Sequence, residues 1–272
     1  MSGIQDRCRA FRQLHDRGCF VIPNPWDIGS ARVLEQLGFK ALATTSAGFA
    51  WSVGHADNRV TVEATLGHLR AISEAVDVPV NADFGGGFGI AADAVGHHVE
   101  QAATTGIAGL SIEDSTGDSV EPLYEFALAV DRIKAARHAI DTAGTGVLLT
   151  ARTEGFIAGR PDLKETIRRL TAFADAGADC LYAPGLRSMA DITAVVGAVA
   201  PKPVNVLVST GFTTVAELAA AGVRRISVGG ALARTAWTGF LQAAREIAAQ
   251  GTFASLSNAT SGADINKLFS AP

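Results

Sequence analysis

The chain has 272 residues, of which 48% are hydrophobic and 18% are charged, and its formal net charge is −4. This apolar composition excludes a disordered chain, and the lack of a basic stripe argues against nucleic acid as a main partner. No apolar run approaches the roughly 18 residues of a membrane span, and the polar first residues lack the apolar stretch of a signal peptide. The three cysteines are far apart without zinc-binding spacing, so we expect a reduced, cytoplasmic protein without membrane contacts.

Short β-like runs alternate with longer Ala-rich segments along the chain, after an initial helix expected over 4–17. Several runs are almost continuously apolar, which is typical of parallel strands buried on both faces. Strands are predicted over 19–22, 41–44, 78–82, 109–113, 147–151, 180–183, 204–208 and 225–228. The segments between them have helical periodicity, and helices are predicted over 28–37, 61–76, 91–105, 123–142, 162–176, 188–198, 213–221 and 231–249.

This alternation limits the fold to two architectures. Parallel strands joined by helical crossovers, without hairpin signals, form either an open doubly wound sheet or a closed barrel. Eight units in a chain close to the roughly 250 residues of a barrel favour the α/β class and the (β/α)8 TIM barrel. We expect one domain over 1–272, with a C-terminal extension at 250–272.

Polar residues collect where the predicted strands end, which in a barrel is the active-site face. Asp57, Asp83 and Glu113 belong to strands two to four and the loops after them, and Arg152 follows strand five. A single acid after a strand is more often a helix N-cap, but here several strand ends agree. Converging carboxylates repel each other unless a cation lies among them, so we predict Mg²⁺, with Mn²⁺ as the alternative.

The same face offers groups that suit a carboxylic acid. Arg152 can pair with a substrate carboxylate, and the turn Ser46-Ala47-Gly48 offers backbone N–H groups and a hydroxyl. Asn205, on strand seven, is a further substrate-binding candidate. A metal, an arginine and an N–H cradle fit a small oxo-acid whose enolate must be stabilised.

Five stretches resemble the isocitrate lyase / phosphoenolpyruvate mutase (PEP phosphonomutase) superfamily: NPWDIGSARVLEQLGFKALATTSAG, VNADFGGGFG, GLSIEDS, LLTARTEGF and RISVGGALAR. They occur in the right order between about residues 20 and 233. The resemblance implies a (β/α)8 barrel that exchanges its eighth helix between subunits and binds Mg²⁺ with an α-oxo acid. It also implies the following roles: Asp83 as direct metal ligand, Asp57 and Glu113 as holders of metal-bound waters, Arg152 as carboxylate partner, Ser46, Ala47 and Gly48 as cradle, and Trp26 as pocket lining.

The chain departs from the superfamily pattern at two places. The third-strand motif is usually Asp-x-Asp-x-Gly-[Tyr/Phe]-Gly, but Gly85 stands at its second acid. The loop after strand four, 115–124, carries neither the lyase Lys-Lys-Cys-Gly-His motif nor the Asn-containing mutase loop. Without that cysteine, we predict that the proton comes from Glu121 or from a metal-bound water, and that the loop closes over the substrate.

The leading functional hypothesis is a Mg²⁺-dependent lyase that cleaves a C–C bond of a small α-oxo or 2-hydroxy carboxylic acid through an enolate, with Arg152, Glu121 and Asp57 as catalytic candidates. One alternative is P–C chemistry of the phosphoenolpyruvate phosphonomutase or phosphonopyruvate hydrolase type. Another is a degenerate barrel that binds a metabolite without turnover. The resemblance also implies a homotetramer built as a dimer of dimers, and the segment 231–249 is apolar on a wide face.

Overall fold

The structure, a computed structural model, describes residues 3–270. Within them, eight parallel strands form one sheet in the order β1-β8-β7-β6-β5-β4-β3-β2. The strands are β1 Phe20–Ile22, β2 Leu42–Ala43, β3 Val80–Asp83, β4 Gly109–Glu113, β5 Leu148–Arg152, β6 Cys180–Tyr182, β7 Val204–Leu207 and β8 Arg225–Ser227. Each predicted strand is present, with ends within two residues of those predicted.

The two outer strands of this order, β1 and β2, meet just beyond the end of β1. The Ala43 N–H donates to the Pro23 carbonyl at 3.0 Å, and the Asn24 side-chain amide donates to the Thr44 carbonyl at 2.9 Å. Pro23 has no N–H to return a bond, so a regular ladder cannot form there. The sheet is therefore a nearly closed barrel, which confirms the predicted (β/α)8 fold.

Helices alternate with the strands, as the sequence predicts. They are α1 Ile4–Asp16, α2 Ile28–Gln36, α3 Ser46–Ser52, α4 Val62–Ala75, α5 Ala92–Ala103, α6 Phe126–Ala143, α7 Leu163–Asp175, α8 Met189–Val199, α9 Val215–Ala220, α10 Ala231–Gln250 and α11 Gly262–Lys267. A 3₁₀ turn, Ala254–Asn258, precedes α11 in the C-terminal extension. None of these helices is long and apolar enough to cross a membrane, over the part of the chain that is described.

The helix α3 was not predicted, because Ser46-Ala47-Gly48 looks like a turn in the sequence. Thr45 precedes it in extended conformation, and its Oγ1 accepts a hydrogen bond from the Gly48 N–H at 3.3 Å. This is an N-cap, which satisfies one of the free N–H groups of a first helical turn. The predicted cradle is therefore the first turn of a short helix at the barrel mouth.

Helix α1 closes the opposite end of the barrel. Phe11 is fully buried, and its ring packs so near Gly109 of β4 that a Cβ on Gly109 would lie 2.6 Å from it. The imidazole of His15 meets the rings of Phe11 and Phe20 edge to face, with centroids 4.7 and 5.1 Å away. The barrel floor is thus an aromatic cluster with one buried histidine.

We expect His15 to make the protein less stable in mild acid. Burial lowers the pKa of His15 to about 3, and the positive charge of Arg225 acts in the same direction. In the unfolded chain the pKa of this histidine is about 6.5. Below that pH the unfolded chain binds more protons than the folded protein, so stability is lost as the pH falls from about 6.5 towards 3. Between pH 7.5 and 5 this should remove about 2 kcal/mol of unfolding free energy. Urea unfolding of the parent and of His15→Leu at both pH values tests this; equal losses in the two proteins would contradict it.

Helix α10 packs differently from the other long helices. Ala233 is its one buried residue, and the large apolar side chains of Trp237, Phe240, Leu241 and Ile247 are exposed. This agrees with the wide apolar face seen in the sequence. Helix exchange with a second chain, and the single-domain organisation over 1–272, stay predictions.

Candidate active site

A cavity of about 400 Å³ opens at the mouth of the barrel, where the strands end. Its wall is formed by the segments that follow β2, β3 and β4, and it includes Ser46, Asp83 and Glu113. The remaining members are Thr44, Thr45, Phe49, Asn58, Val60, Thr65, His68, Phe84, Gly85, Gly86, Phe88, Gly89, Ile90, Ser115, Thr116, Gly117 and Tyr124. The predicted acids of strands three and four therefore share one cavity.

Asp83, the last residue of β3, is held by the neighbouring strand end and by α3. Its backbone N–H donates to Thr44 Oγ1 at 2.9 Å, and its Oδ2 accepts hydrogen bonds from the Ser46 N–H and Oγ, both at 3.0 Å. In this structure the Ser46 part of the predicted cradle thus binds a carboxylate of the protein itself. Gly48 is close-packed, since a Cβ there would lie 2.9 Å from Trp26 Cβ.

Arg152, the last residue of β5, lies behind these acids. Its Nη1 is 3.4 Å from Asp83 Oδ1 and 3.3 Å from Glu113 Oε2, and its Nε donates to Glu154. Its guanidinium carbon stands 5.2 Å from the ring centre of Tyr182. Burial by itself would lower the pKa of Arg152, but the negative charges of Glu154 and Glu113 raise it well above its usual value. The arginine therefore stays charged and joins three carboxylates.

The carboxylates crowd one another. Burial raises the pKa of Glu113 to about 8, although the positive charge of Arg152 opposes this, and neighbouring carboxylates add to the rise. Partial burial raises the pKa of Asp57, and the charge of Asp83 adds to the rise. Asp57 is nevertheless an exposed residue and does not line the cavity. In both cases burial is the larger cause of the rise, and the neighbouring negative charges are smaller ones. Both causes oppose ionisation of these carboxyl groups, and a cation beside them would favour it.

These residues fit Mg²⁺ held mostly through water. Over residues 3–270, no three acidic, histidine or cysteine side chains lie close enough to ligate one ion together. Mg²⁺ prefers oxygen ligands and keeps several waters, and one or two carboxylates are enough to hold it. Burial and neighbouring charge both oppose ionisation of the Glu113 and Asp57 carboxyl groups, and such a cation would stabilise their ionised forms. The predicted ligands Asp83, Asp57 and Glu113 stay predictions that this chemistry supports.

A hydrogen-bond network around Asp114, which the sequence did not reveal, holds the segment after β5. Asp114 is buried and accepts hydrogen bonds from Thr153 Oγ1 at 2.8 Å, from the Glu154 N–H at 2.9 Å and from Arg169 at 3.1 Å. Burial raises the pKa of Asp114, and these donors oppose the rise. This network fixes Glu154, which in turn orients Arg152. The motif ARTEGF contains Glu154, but nothing in its spacing shows that it contacts the arginine two residues before it.

The other predicted substrate-binding residues lie elsewhere in the barrel. Trp26 is half-buried beside Gly48, behind the cavity wall. Asn205 is buried inside the barrel, where its amide donates to Ser227 Oγ at 2.9 Å and its carbonyl accepts from Arg225 Nε at 2.9 Å. Because these groups already bind its side chain, we do not assign Asn205 to substrate binding.

Glu121 lies on the loop between β4 and α6. The loop forms a small hairpin through a bridge between Ser115 and Leu123. The Glu121 carbonyl accepts a hydrogen bond from Thr116 Oγ1, and its N–H donates to Asp118 Oδ1 at 3.0 Å. Its side chain is exposed and does not line the cavity, so a proton-donor role requires the loop to move. That role stays a prediction.

An arginine that the sequence analysis did not single out holds the glycine-rich loop after β3. Arg132 of α6 is fully buried and donates to the carbonyls of Gly86, Gly89 and Ile90, the last at 2.7 Å. Its guanidinium lies 4.0 Å from the ring centre of Tyr124, which ends the loop of Glu121. Arg132 therefore connects two of the segments that line the cavity.

Restoring the missing acid of the third-strand motif should strengthen metal binding. A Cβ at Gly85 would meet no atom within 4 Å, but the residue has φ +52°. Asp and Asn tolerate this left-handed conformation better than most residues, at a cost of about 1 kcal/mol. We expect Gly85→Asp to bind Mg²⁺ several-fold more tightly by calorimetry. Gly85→Asn has the same shape without the charge, and equal affinities of the two variants would contradict the prediction.

The fold and the site define a (β/α)8-barrel protein whose mouth combines crowded carboxylates with a partly buried arginine. The chain belongs to the phosphoenolpyruvate phosphomutase family, whose model matches residues 11–248. It is 48% identical to a Burkholderia cenocepacia J2315 protein provisionally assigned as a lyase/mutase; the two structures have a TM-score of 0.93, covering 99% of this chain and 98% of that one. It is also 36% identical, over 81% of each chain, to an uncharacterized protein of Mycobacterium tuberculosis.

A third comparison includes ligands. The phosphonopyruvate hydrolase complex with oxalate and Mg²⁺ is 26% identical, with a TM-score of 0.84 over 97% of this chain and 94% of that one. Other relatives include oxaloacetate decarboxylases, 30% and 29% identical to this chain, and a 2-methylisocitrate lyase of Salmonella typhimurium, 29% identical. The predicted membership of the isocitrate lyase / PEP mutase superfamily is thus confirmed. Its members are lyases and mutases that act on oxo-acids.

Proposed function

We propose that the protein is a Mg²⁺-dependent lyase that cleaves a C–C bond of a small α-oxo or 2-hydroxy carboxylic acid. The observation that carries the proposal is the grouping of Asp83, Glu113 and Arg152 at the barrel mouth. Relatives with lyase or decarboxylase names support C–C chemistry. Mn²⁺ is an alternative ion.

The chain's own residues have separate tasks in this proposal. Bound Mg²⁺ would polarise the carbonyl of the acid and stabilise enolate charge. Asp83 would hold the ion, while Ser46 fixes the orientation of the Asp83 carboxylate through two hydrogen bonds. The contacts of Arg152 Nη1 to Asp83 and Glu113 are long, at 3.4 and 3.3 Å, so this nitrogen can also pair with a substrate carboxylate.

Two other functions have specific support. P–C chemistry is favoured by a relative named phosphonopyruvate hydrolase, from Variovorax sp., which is 31% identical over 73% of this chain. A metabolite-binding barrel without turnover is favoured by Gly85 at the second motif acid and by the unusual 115–124 loop.

Whichever of these functions the protein has, we also propose that it is a cytoplasmic homotetramer formed as a dimer of dimers. A monomer in sedimentation at micromolar concentration would contradict this oligomeric state.

An activity screen separates these functions. The purified protein would be incubated with Mg²⁺ and a panel of 2-hydroxy di- and tricarboxylic acids, 2-oxo and 2-hydroxy acids with an apolar distal chain, oxaloacetate and phosphonopyruvate, with a chelator as control. We expect an oxo-acid product that is lost with the chelator. Phosphate release from phosphonopyruvate alone would support the P–C alternative. Oxalate binding without turnover of any compound would support the non-catalytic barrel.

Glu121→Gln tests the source of the proton. If the closed loop brings its carboxyl to the reacting carbon, the variant should lose most of kcat and keep its oxalate affinity. Exposed Asp118→Asn, on the same loop, is the control for general effects on loop structure. Unchanged kcat in Glu121→Gln would show that another group carries the proton. A collapse of oxalate affinity would make Glu121 a binding or structural residue.

A further inference from the structure

The cavity that contains the carboxylates continues along an aromatic and aliphatic wall. We call this part the apolar arm; it is lined by Phe49, Val60, His68, Phe84, Phe88 and Ile90. The proposed function gives none of these side chains a role in binding the head of the oxo-acid, which is its carboxylate and the adjacent carbonyl or hydroxyl group.

Two aromatic pairs form the arm. On one side, Phe49 of α3 stacks on His68 of α4, with ring centres 3.9 Å apart and planes 12° from parallel. On the other side, Phe84 and Phe88 of the glycine-rich loop pack edge to face, with centres 5.0 Å apart. Phe84 is fully buried and supports Phe88. The rings of Phe49, His68 and Phe88 are at least partly exposed and can supply apolar contact area to a ligand.

The conformation of Phe88 and the exposure of Phe88 and Ile90 are both energetically unfavourable. Phe88 has φ +58°, a left-handed conformation that is unusual for a bulky residue. Its side chain is nevertheless 40% exposed, and that of Ile90 is 70% exposed. Backbone strain of this type concentrates where a protein holds a ligand, so the strain and the exposure both indicate that a ligand covers this rim.

The arm offers no positive charge. Among the described residues, those that line the cavity include no lysine or arginine. Burial lowers the pKa of His68 to about 4, so its ring is neutral at neutral pH. Arg152 does not line the cavity, and the proposed function assigns it to the 2-oxo or 2-hydroxy acid end of the ligand. A second carboxylate on a ligand would lose its hydration here without a cation to replace it.

We propose that the natural ligand is a 2-oxo or 2-hydroxy acid whose distal group is uncharged and apolar and lies in this arm. The proposal rests on the proposed function for the head of the ligand, which binds at Asp83. A cavity of about 400 Å³ lies in the range of roughly 300–1,000 Å³ that takes drug-sized ligands, well beyond the needs of a four-carbon diacid. Small tricarboxylic and dicarboxylic acids are then poor ligands because of their distal charge.

A matched pair of stable 2-oxo acids tests this by calorimetry with Mg²⁺ present. 2-Oxoglutarate ends in a carboxylate, and 5-methyl-2-oxohexanoate has two methyl groups in place of its oxygens. We expect the methyl compound to bind at least about tenfold more tightly. Oxalate, which is a head without a tail, measures the head site alone. Equal or tighter binding of 2-oxoglutarate would overturn the proposal.

A charge added to the rim should weaken or abolish this preference. Ile90→Lys places a flexible cation on the arm, and we expect it to shift the ratio of the two affinities towards 2-oxoglutarate by about tenfold. Leu37→Lys makes the same charge change at an exposed position at the far end of α2 and should leave the ratio unchanged. An unchanged ratio in Ile90→Lys would show that the tail lies elsewhere. If the parent protein did not bind oxalate in the presence of Mg²⁺, the proposed function itself would be contradicted.

Discussion

Replacing Asp83 by Asn should abolish Mg²⁺-dependent binding of oxalate. The side-chain oxygen of Asn can still accept the two hydrogen bonds from Ser46, so the local structure should be kept while the negative charge is lost. Replacing a residue that only orients a metal ligand typically lowers the metal affinity roughly 10–100-fold. For a direct ligand we therefore expect a loss of more than about 100-fold.

Calorimetry of oxalate with Mg²⁺, for the parent and four variants, measures this. Asp57→Asn and Glu113→Gln should lose about 10–100-fold if they hold the ion through water. Asp131→Asn removes an exposed carboxylate on α6, bound only to Lys134, and should change nothing. The assignment of Asp83 fails if Asp83→Asn binds as tightly as Asp131→Asn.

The sequence predicted the barrel well because burial and periodicity are properties of each segment separately. The strand β4 was predicted with its final bounds, since its apolar run is bounded by Gly109 and by Glu113. The short α3 was missed because it has too few residues for a periodic pattern. Its existence depends on the Thr45 cap and on packing against Trp26 and Ala233, which are distant in sequence.

The site was predicted in part for a similar reason. The strand-end rule places Asp83, Glu113 and Arg152 on one face, and the structure brings them together. The rule does not say how far inside the barrel a strand residue lies, so Asn205 looked like a residue of the mouth. The positions of Glu154 and Arg132 depend on tertiary contacts that no local pattern encodes.

Replacing Arg152 by Met should strongly destabilise the fold. The change leaves Glu113, Glu154 and Asp83 without the cation that they share. Removing one partner of a buried ion pair typically costs about 3–5 kcal/mol, because the remaining charge stays buried and uncompensated. We expect a loss of this size in urea unfolding at pH 7.5. The loss should shrink at lower pH, since the carboxyl groups can then take up protons.

A second substitution isolates the electrostatic part of this loss. Glu154→Gln removes one of the uncompensated charges, so the double variant Arg152→Met, Glu154→Gln should be more stable than Arg152→Met alone. The coupling between the two changes should exceed about 1 kcal/mol. Arg168→Met breaks a two-hydrogen-bond pair with Glu165 on the surface of α7 and a contact with the Phe126 ring, whose centre is 3.6 Å from the guanidinium carbon. It should cost far less stability than Arg152→Met, because exposed ion pairs and cation–π contacts contribute little. If Arg152→Met were as mild as Arg168→Met, the mouth would not depend on this arginine for its charge balance. The excess negative charge would then already be neutralised by protons, and a cation would gain little by binding there.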